Sequence, residues 1–302
     1  MNEMQLRKVT RLALADRGGV LFVGIAVGAV MALSFLTYGK PVQALIPAET
    51  AKAPAITLPA AAPANAHDLQ CSADFPLSPR VLTGLRSNRP LRIGVIGDSF
   101  GEGIYAATNG QFQESDGFQV YSFAKEGIGL TRYQSLDVLA HVKSRFAQTP
   151  IDIAIIDFGA NDTQGVRQGG HGAAYMTPRW QAVVGGRAAE LVTYLRQQGV
   201  AVAWVGLPRM RKPDFDRDVQ AMNAFYTGLM CKLGVPFVNP VAASEDHQHR
   251  FAMELIDSST KQPYIARAED GVHMSFHGYR EITKPVLQRI ALLSKNAPDD
   301  QR

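Results

Sequence analysis

The sequence predicts an α/β domain, a three-layer α/β/α sandwich around a five-stranded parallel sheet. Three observations carry that expectation. From residue 91 onward, short apolar runs alternate with stretches of helical spacing. The strongest run, IDIAIIDFG at 151–159, is apolar almost throughout, as in a strand covered on both faces. The chain has 302 residues, 46% of them hydrophobic, which is enough for one sizeable core. Strands that alternate with helices pair in parallel through right-handed crossovers.

Each element has its own signal. LRIGVIG (91–97), bounded by Pro90 and Asp98, predicts the first strand. FQVYSFA (118–124) predicts the second and 151–159 the third. VAVAWVGLP (200–208) and the shorter VPFVNP (235–240) follow as fourth and fifth. Between them, 131–148 places Leu136, Leu139, Val142 and Phe146 on one helical face. The stretch 177–199 opens with a Thr cap and Pro and ends in Gly. Residues 214–234 repeat that layout, and 276–294 form the last helix. Residues 241–268 fit no regular element and read as an insertion or lid. No internal repeat and no second domain is visible.

The N-terminal quarter is different. Residues 19–38, GVLFVGIAVGAVMALSFLTY, carry no charge and match the thickness of a bilayer core. Arg7, Lys8, Arg11 and Arg17 precede this run, which puts the N-terminus in the cytoplasm and the rest outside it. No small-x-small cleavage site follows directly, so an uncleaved signal anchor is expected. Residues 41–67 are rich in Ala and Pro and read as an extended tether. The expected layout is 1–18 cytoplasmic, 19–39 anchor, 40–88 linker and 89–296 the folded domain. Cys71 and Cys231 both fall in the exported part, where an oxidising compartment allows a disulfide between them.

Charge excludes one class of partner. Thirty-one Lys and Arg against 27 Asp and Glu leave a net charge of +4. The positive residues are scattered and not interleaved with aromatics, so no nucleic acid is expected.

Chemistry gathers where the strands end, since open parallel sheets bind ligands beyond their carboxyl ends. The first strand is followed by Gly97-Asp98-Ser99, the second by Lys125-Glu126-Gly127-Ile128-Gly129. The third is followed by Gly159-Ala160-Asn161-Asp162 and the fourth by Pro208-Arg209-Met210-Arg211. Before the last helix comes Asp270-Gly271-Val272-His273. A serine becomes a nucleophile only with a base, and the base needs an orienting group. Asp270 and His273, three apart on one turn, can supply both. The Ser99 N–H, an N–H of the glycine turn 127–129 and the Asn161 amide could face a developing oxyanion.

GDSF (97–100), GAND (159–162) and DGVH (270–273), in this order, resemble the SGNH, or GDSL-type, esterase superfamily. KEGIGLTR, WVGLPRMR and GVPFV are similar to a bacterial, membrane-anchored branch described as a domain of unknown function. The resemblance covers about residues 90–290. It implies an SGNH, flavodoxin-like sandwich with Ser99 as nucleophile, His273 as general base and then acid, and Asp270 as its orienting partner. It implies an oxyanion hole of Ser99, Gly129 and Asn161, with Gly129 preferred over Gly127 because Gly-x-Thr (129–131) runs into the helix. Phe100 stands where the family has leucine, a departure expected to matter little. GDSFG also fits the nucleophile-elbow pattern of α/β-hydrolases, but there the serine follows several earlier strands.

Other residues carry plainer expectations. Asp162 should fix the loop that presents Asn161, and Asp98 should be a loop hydrogen-bonder. His277 rivals His273 but lies inside the last helix pattern. His247 and His249 lack the carboxylate or cysteine spacing of a metal site. Arg209 and Arg211 are either solvated or placed to attract an anionic substrate. The expected function is an extracytoplasmic serine esterase of O-acyl groups, acetyl first among them, on envelope polysaccharide, peptidoglycan or another small ester. It would be held in a bacterial inner membrane by its N-terminal helix and need no cofactor and no metal. The alternatives are an O-acyltransferase with the same triad, or a non-catalytic envelope-binding protein.

Overall fold

The computed structural model describes Phe75 and residues 77–112, 114–133 and 135–295. The expected span at 19–39 and the tether at 41–67 lie outside them. Among the described residues no helix is long and apolar enough to cross a membrane. The first element, helix α1 (Pro79–Arg86), falls inside the stretch read as linker. The Ser78 side chain caps it by accepting from Val81 N, and proline occupies its first turn. Val81 is fully buried, so this helix belongs to the core.

Five strands build the main sheet: β1 (Leu91–Gly97), β2 (Phe118–Ser122), β3 (Ile153–Asp157), β6 (Ala201–Val205) and β7 (Phe237–Val238). Their order is β2-β1-β3-β6-β7 and every pairing is parallel. This agrees with the sequence reading. Helices α2 (Ser99–Gln111), α3 (Val138–Gln148), α4 (Pro178–Gln197), α5 (Pro213–Leu233) and α6 (Phe276–Lys295) cover both faces. Strand alternation feeds two cores. Ile93, Val95, Ile153, Ile155 and Ala203 pack with Phe100, Ile104, Ile282 and Val286 of α2 and α6. Ile96, Ala154, Ile156, Val202 and Trp204 pack with α3 and α4 through Val142, Trp180, Val184 and Leu191.

Three local departures have physical causes. The helix expected from 131 begins at Val138, after Asp137 caps it by accepting from Ala140 N at 3.0 Å. The preceding backbone is committed elsewhere, because Leu130 N and Thr131 N donate to Asp162. A hairpin, β4 (Val166–Gln168) and β5 (His171–Ala173), turns through Gly169 and Gly170, both at positive φ. The irregular stretch 241–268 holds a second hairpin, β8 (Glu254–Ile256) and β9 (Pro263–Ile265). Strands of three residues are too short to show a period in sequence.

From β1 the chain moves to β2 on one side and later to β3 on the other. The crevice beyond the ends of β1 and β3 is therefore the topological switch point. Ser99 and Asn161 follow those two strands directly.

Candidate active site

Gly97 closes β1 and the chain turns at once into α2. Asp98, not Ser99, is the cap: its Oδ1 accepts from Phe100 N at 2.9 Å. Ser99 is thus the first residue of a 13-residue helix. Its N–H belongs to the unsatisfied end of that helix, where the macrodipole favours negative charge.

Asp270 and His273 share one turn. Asp270 Oδ1 accepts from Val272 N at 2.8 Å and His273 N at 2.9 Å. Its Oδ2 accepts from His273 Nδ1 at 2.6 Å. Gly271 makes this turn at φ +71, and a Cβ there would meet the Arg211 side chain at 2.6 Å. His273 Nε2 lies 2.8 Å from Ser99 Oγ. With Nδ1–H given to Asp270, Nε2 holds the lone pair that accepts the Ser99 hydroxyl. The three residues named from sequence meet as a hydrogen-bonded chain.

Phe100 is part of this arrangement, contrary to the expectation that it matters little. Its fully buried ring stacks on His273 with centroids 5.1 Å apart and planes at 27°. Tyr279 of α6 meets the same ring edge-on at 6.0 Å. An aromatic ring gives the imidazole a flat support that a leucine lacks.

Buried acids lie around Ser99. Burial pushes the Asp98 carboxyl up to about 7, against the pull of its bond from Phe100 N. Asp157, fully buried at the end of β3, is pushed well up by burial and by the nearby Asp98 charge. Asp162 is raised by burial, although Thr131 and Leu130 donate to it. Asp270 is the opposite case. Burial pushes it up, but donation from His273 and two backbone N–H groups outweighs this and holds it at about 2.

Asp162 holds the glycine loop after β2, at residues 129–131, rather than only the loop that presents Asn161. It accepts from Leu130 N at 3.0 Å and from Thr131 N and Oγ1 at 2.7 Å each. Gly129 is buried against this carboxylate, where a Cβ would stand 2.5 Å from Asp162 Oδ1. Gly127 is exposed, with open space around it. Among the described residues, the N–H groups of Ser99 and Gly129 donate to no protein acceptor. Asn161 is also brought to the site, but its Nδ2 donates to Asp98 Oδ2 at 3.1 Å and Ile128 O at 3.0 Å. It can serve an oxyanion only by giving up one of these bonds.

The remaining candidates lie in other networks. Arg209 pairs with Glu245 at 2.9 Å and Asp216 at 3.1 Å. Arg211 donates its N–H to Gly271 O at 3.0 Å and Nη1 to Glu269 O at 2.7 Å. Both arginines are held by protein groups, and Arg211 steadies the loop that carries Asp270. His277 bonds Asp257 at 2.6 Å, and His249 bonds Glu245 at 2.7 Å. Ligand atoms of Asp257, His277 and Glu281 lie within 4.8 Å of one another and could hold a cation. Their atoms already have partners within the protein, Ser258 N and Lys284 on Glu281 among them. Cys231 is disulfide-bonded, while Cys71 lies outside the described residues.

A family model described as "Protein of unknown function (DUF459)" matches residues 92–289. The chain belongs to the DUF459 family. The DUF459 match contains Ser99, Asn161, Asp270 and His273. No curated protein matches the chain. A GDSL-like lipase from Bacteroides thetaiotaomicron is 18% identical, with 70% of this chain and 90% of that one covered and a TM-score of 0.47. An acetylxylan esterase from Geobacillus stearothermophilus, solved as a catalytic mutant, is 13% identical. That pairing covers 67% of this chain and 94% of the other at a TM-score of 0.45. These are distant likenesses, and the chemistry of the DUF459 site rests on its own geometry.

Proposed function

We propose that this chain is a serine esterase working through an acyl-enzyme. One observation carries the reading: Ser99 Oγ, His273 and Asp270 are linked at 2.8 and 2.6 Å. Ser99 attacks the ester carbonyl while His273 Nε2 takes its proton. Asp270 keeps the imidazole in the right tautomer and balances the imidazolium. The tetrahedral oxyanion is met by the N–H groups of Ser99 and Gly129 at the positive end of α2. His273 returns the proton to the leaving alcohol, leaving the acyl group on Ser99. Water, activated by the same imidazole, then releases the acid.

Access to the site supports one substrate class. His273 and Asp270 side chains are 35% and 48% exposed, so the site opens to the surface. That suits an acyl group displayed on a larger carbohydrate better than one that must be swallowed. The uncharged run at 19–38 supports an outward-facing, membrane-held position.

The experiment is intact-mass analysis of the chain after treatment with a fluorophosphonate. The expected result is one adduct, absent in Ser99→Ala and much slower in His273→Ala. A folded wild-type protein that takes no adduct refutes the reading.

A further inference from the structure

Arg187, at the middle of α4, is only 9% exposed, yet no carboxylate oxygen lies within 4.0 Å of it among the described residues. Buried charges are ordinarily paired, because burial without a partner costs several kcal/mol. Its guanidinium lies 4.2 Å over the Tyr133 ring. Its one hydrogen bond among the described residues runs from Nη1 to Leu130 O at 2.5 Å. A guanidinium has five N–H donors, so most of this fork is unused. Asp162, Glu190 and Asp137 act on it only from farther away.

Arg267 supplies the contrast. It is more deeply buried and also has no carboxylate within 4.0 Å among the described residues, but both terminal nitrogens donate to carbonyls, Nη1 to Val272 and Nη2 to Arg209 and Ser244, and only Nε is left without a partner. Arg187 instead borders open space. A cavity of about 450 Å³ is lined by Tyr133, Arg167, Gln168, Gly169, Gly170 and Arg187. Arg167, exposed on the β4–β5 hairpin, likewise has no acid within 4.0 Å among the described residues. Two cations line one cavity, and among the described residues no acid lies within 4.0 Å of either.

We propose that this cavity is a subsite for an oxyanion, a carboxylate or phosphate, held between Arg187 and Arg167. The planar fork of Arg187 suits the two oxygens of such a group, and Arg167 adds a second charge from the hairpin. Arg187 also holds Leu130 O, next to Gly129 of the oxyanion loop. The subsite therefore backs onto the catalytic loop, and its ligand is an acidic group on the substrate away from the ester. That last assignment rests on the esterase reading; the binding of an oxyanion does not. The sequence drew attention to Arg209 and Arg211, both of which are engaged by the protein. The unsatisfied arginine lies inside a helix, where sequence offers no signal.

The test is calorimetric titration of the full chain, in neutral detergent and with Ser99→Ala to prevent turnover. The probes are inorganic phosphate, glucuronate and, as the neutral control, glucose. Saturable millimolar binding of either anion, but not of glucose, is expected. A preference for glucuronate identifies a uronate group and a preference for phosphate a phosphomonoester; either supports the subsite. Arg167→Gln, an exposed change that leaves the core intact, should weaken binding about tenfold, the worth of one charge-assisted hydrogen bond. Arg187→Gln should abolish it. Absence of saturable binding, equal heat from glucose, or affinity unchanged in Arg167→Gln overturns the proposal. Fluorophosphonate labelling of Ser99 is measured separately, so either reading can fail without the other.

Discussion

Replacing Asp98 with Asn should change how stability depends on pH, and the sign is fixed by burial. The Asp98 carboxyl is wholly buried, and its pKa rises from an ordinary 3.8 to about 7. Between those values the folded state holds a proton that the unfolded state has released. Wild-type stability from this group is therefore fully present below 3.8 and is lost as pH rises toward 7. A rise of that size is worth up to about 4 kcal/mol across the window. Asparagine keeps an oxygen for Phe100 N but removes the titration. Its amide also faces the Asn161 amide, which adds a cost. That cost is independent of pH, so it cancels when the wild-type-to-variant difference at pH 4 is subtracted from that at pH 7. The assay is urea unfolding of both proteins from pH 4 to 7. The variant should gain on the wild type by a few kcal/mol as pH rises. A difference that stays flat refutes the reasoning.

Further outcomes follow from the same site. Asp270→Asn keeps the turn through its remaining oxygen but loses the tautomer, so kcat on p-nitrophenyl acetate should fall on the order of 10³-fold with KM little changed. Phe100→Leu removes two aromatic contacts and should cost roughly 1–2 kcal/mol in urea unfolding. The same change should lower kcat roughly tenfold, by loosening His273; an unchanged kcat would make the ring mere packing. Gly129→Ala drives a methyl into Asp162 and should cripple turnover, whereas Gly127→Ala meets no neighbour and strains only its own turn at φ +75, costing about 1 kcal/mol in urea unfolding with a smaller loss of turnover in the same assay. Asp152 lies fully buried at the far end of the sheet, bonded by Arg89 at 2.6 and 2.8 Å. Asp152→Ala should cost about 3 kcal/mol and lower Tm by roughly 6–12 °C in calorimetry, with kcat unaffected.

Much of the fold was legible because burial on two faces leaves a one-dimensional trace. Runs such as 151–159 are apolar because each alternate residue enters one of two cores, and caps such as Thr177-Pro178 mark where helices start. The candidate triad residues were legible because each sits just after a strand or just before a helix, beside glycines that a tight turn requires. The Asp270–His273 pair is local enough to read from spacing alone. What the sequence left open depends on groups far apart in the chain. Ser99 and His273 are 174 residues apart, and their 2.8 Å contact exists only once α2 and α6 pack on the same face of the sheet. The Gly-x-Thr pattern favoured Gly129 over Gly127, but only the folded chain sets Gly129 against the Asp162 carboxylate, and the weight of Phe100 needed the imidazole above it. Arg209, Arg211 and Arg187 look alike as letters. Only the tertiary structure shows that Arg209 and Arg211 are taken up by protein groups while Arg187 is buried with no acid within 4.0 Å among the described residues, because a charge's partner is decided by distance in space.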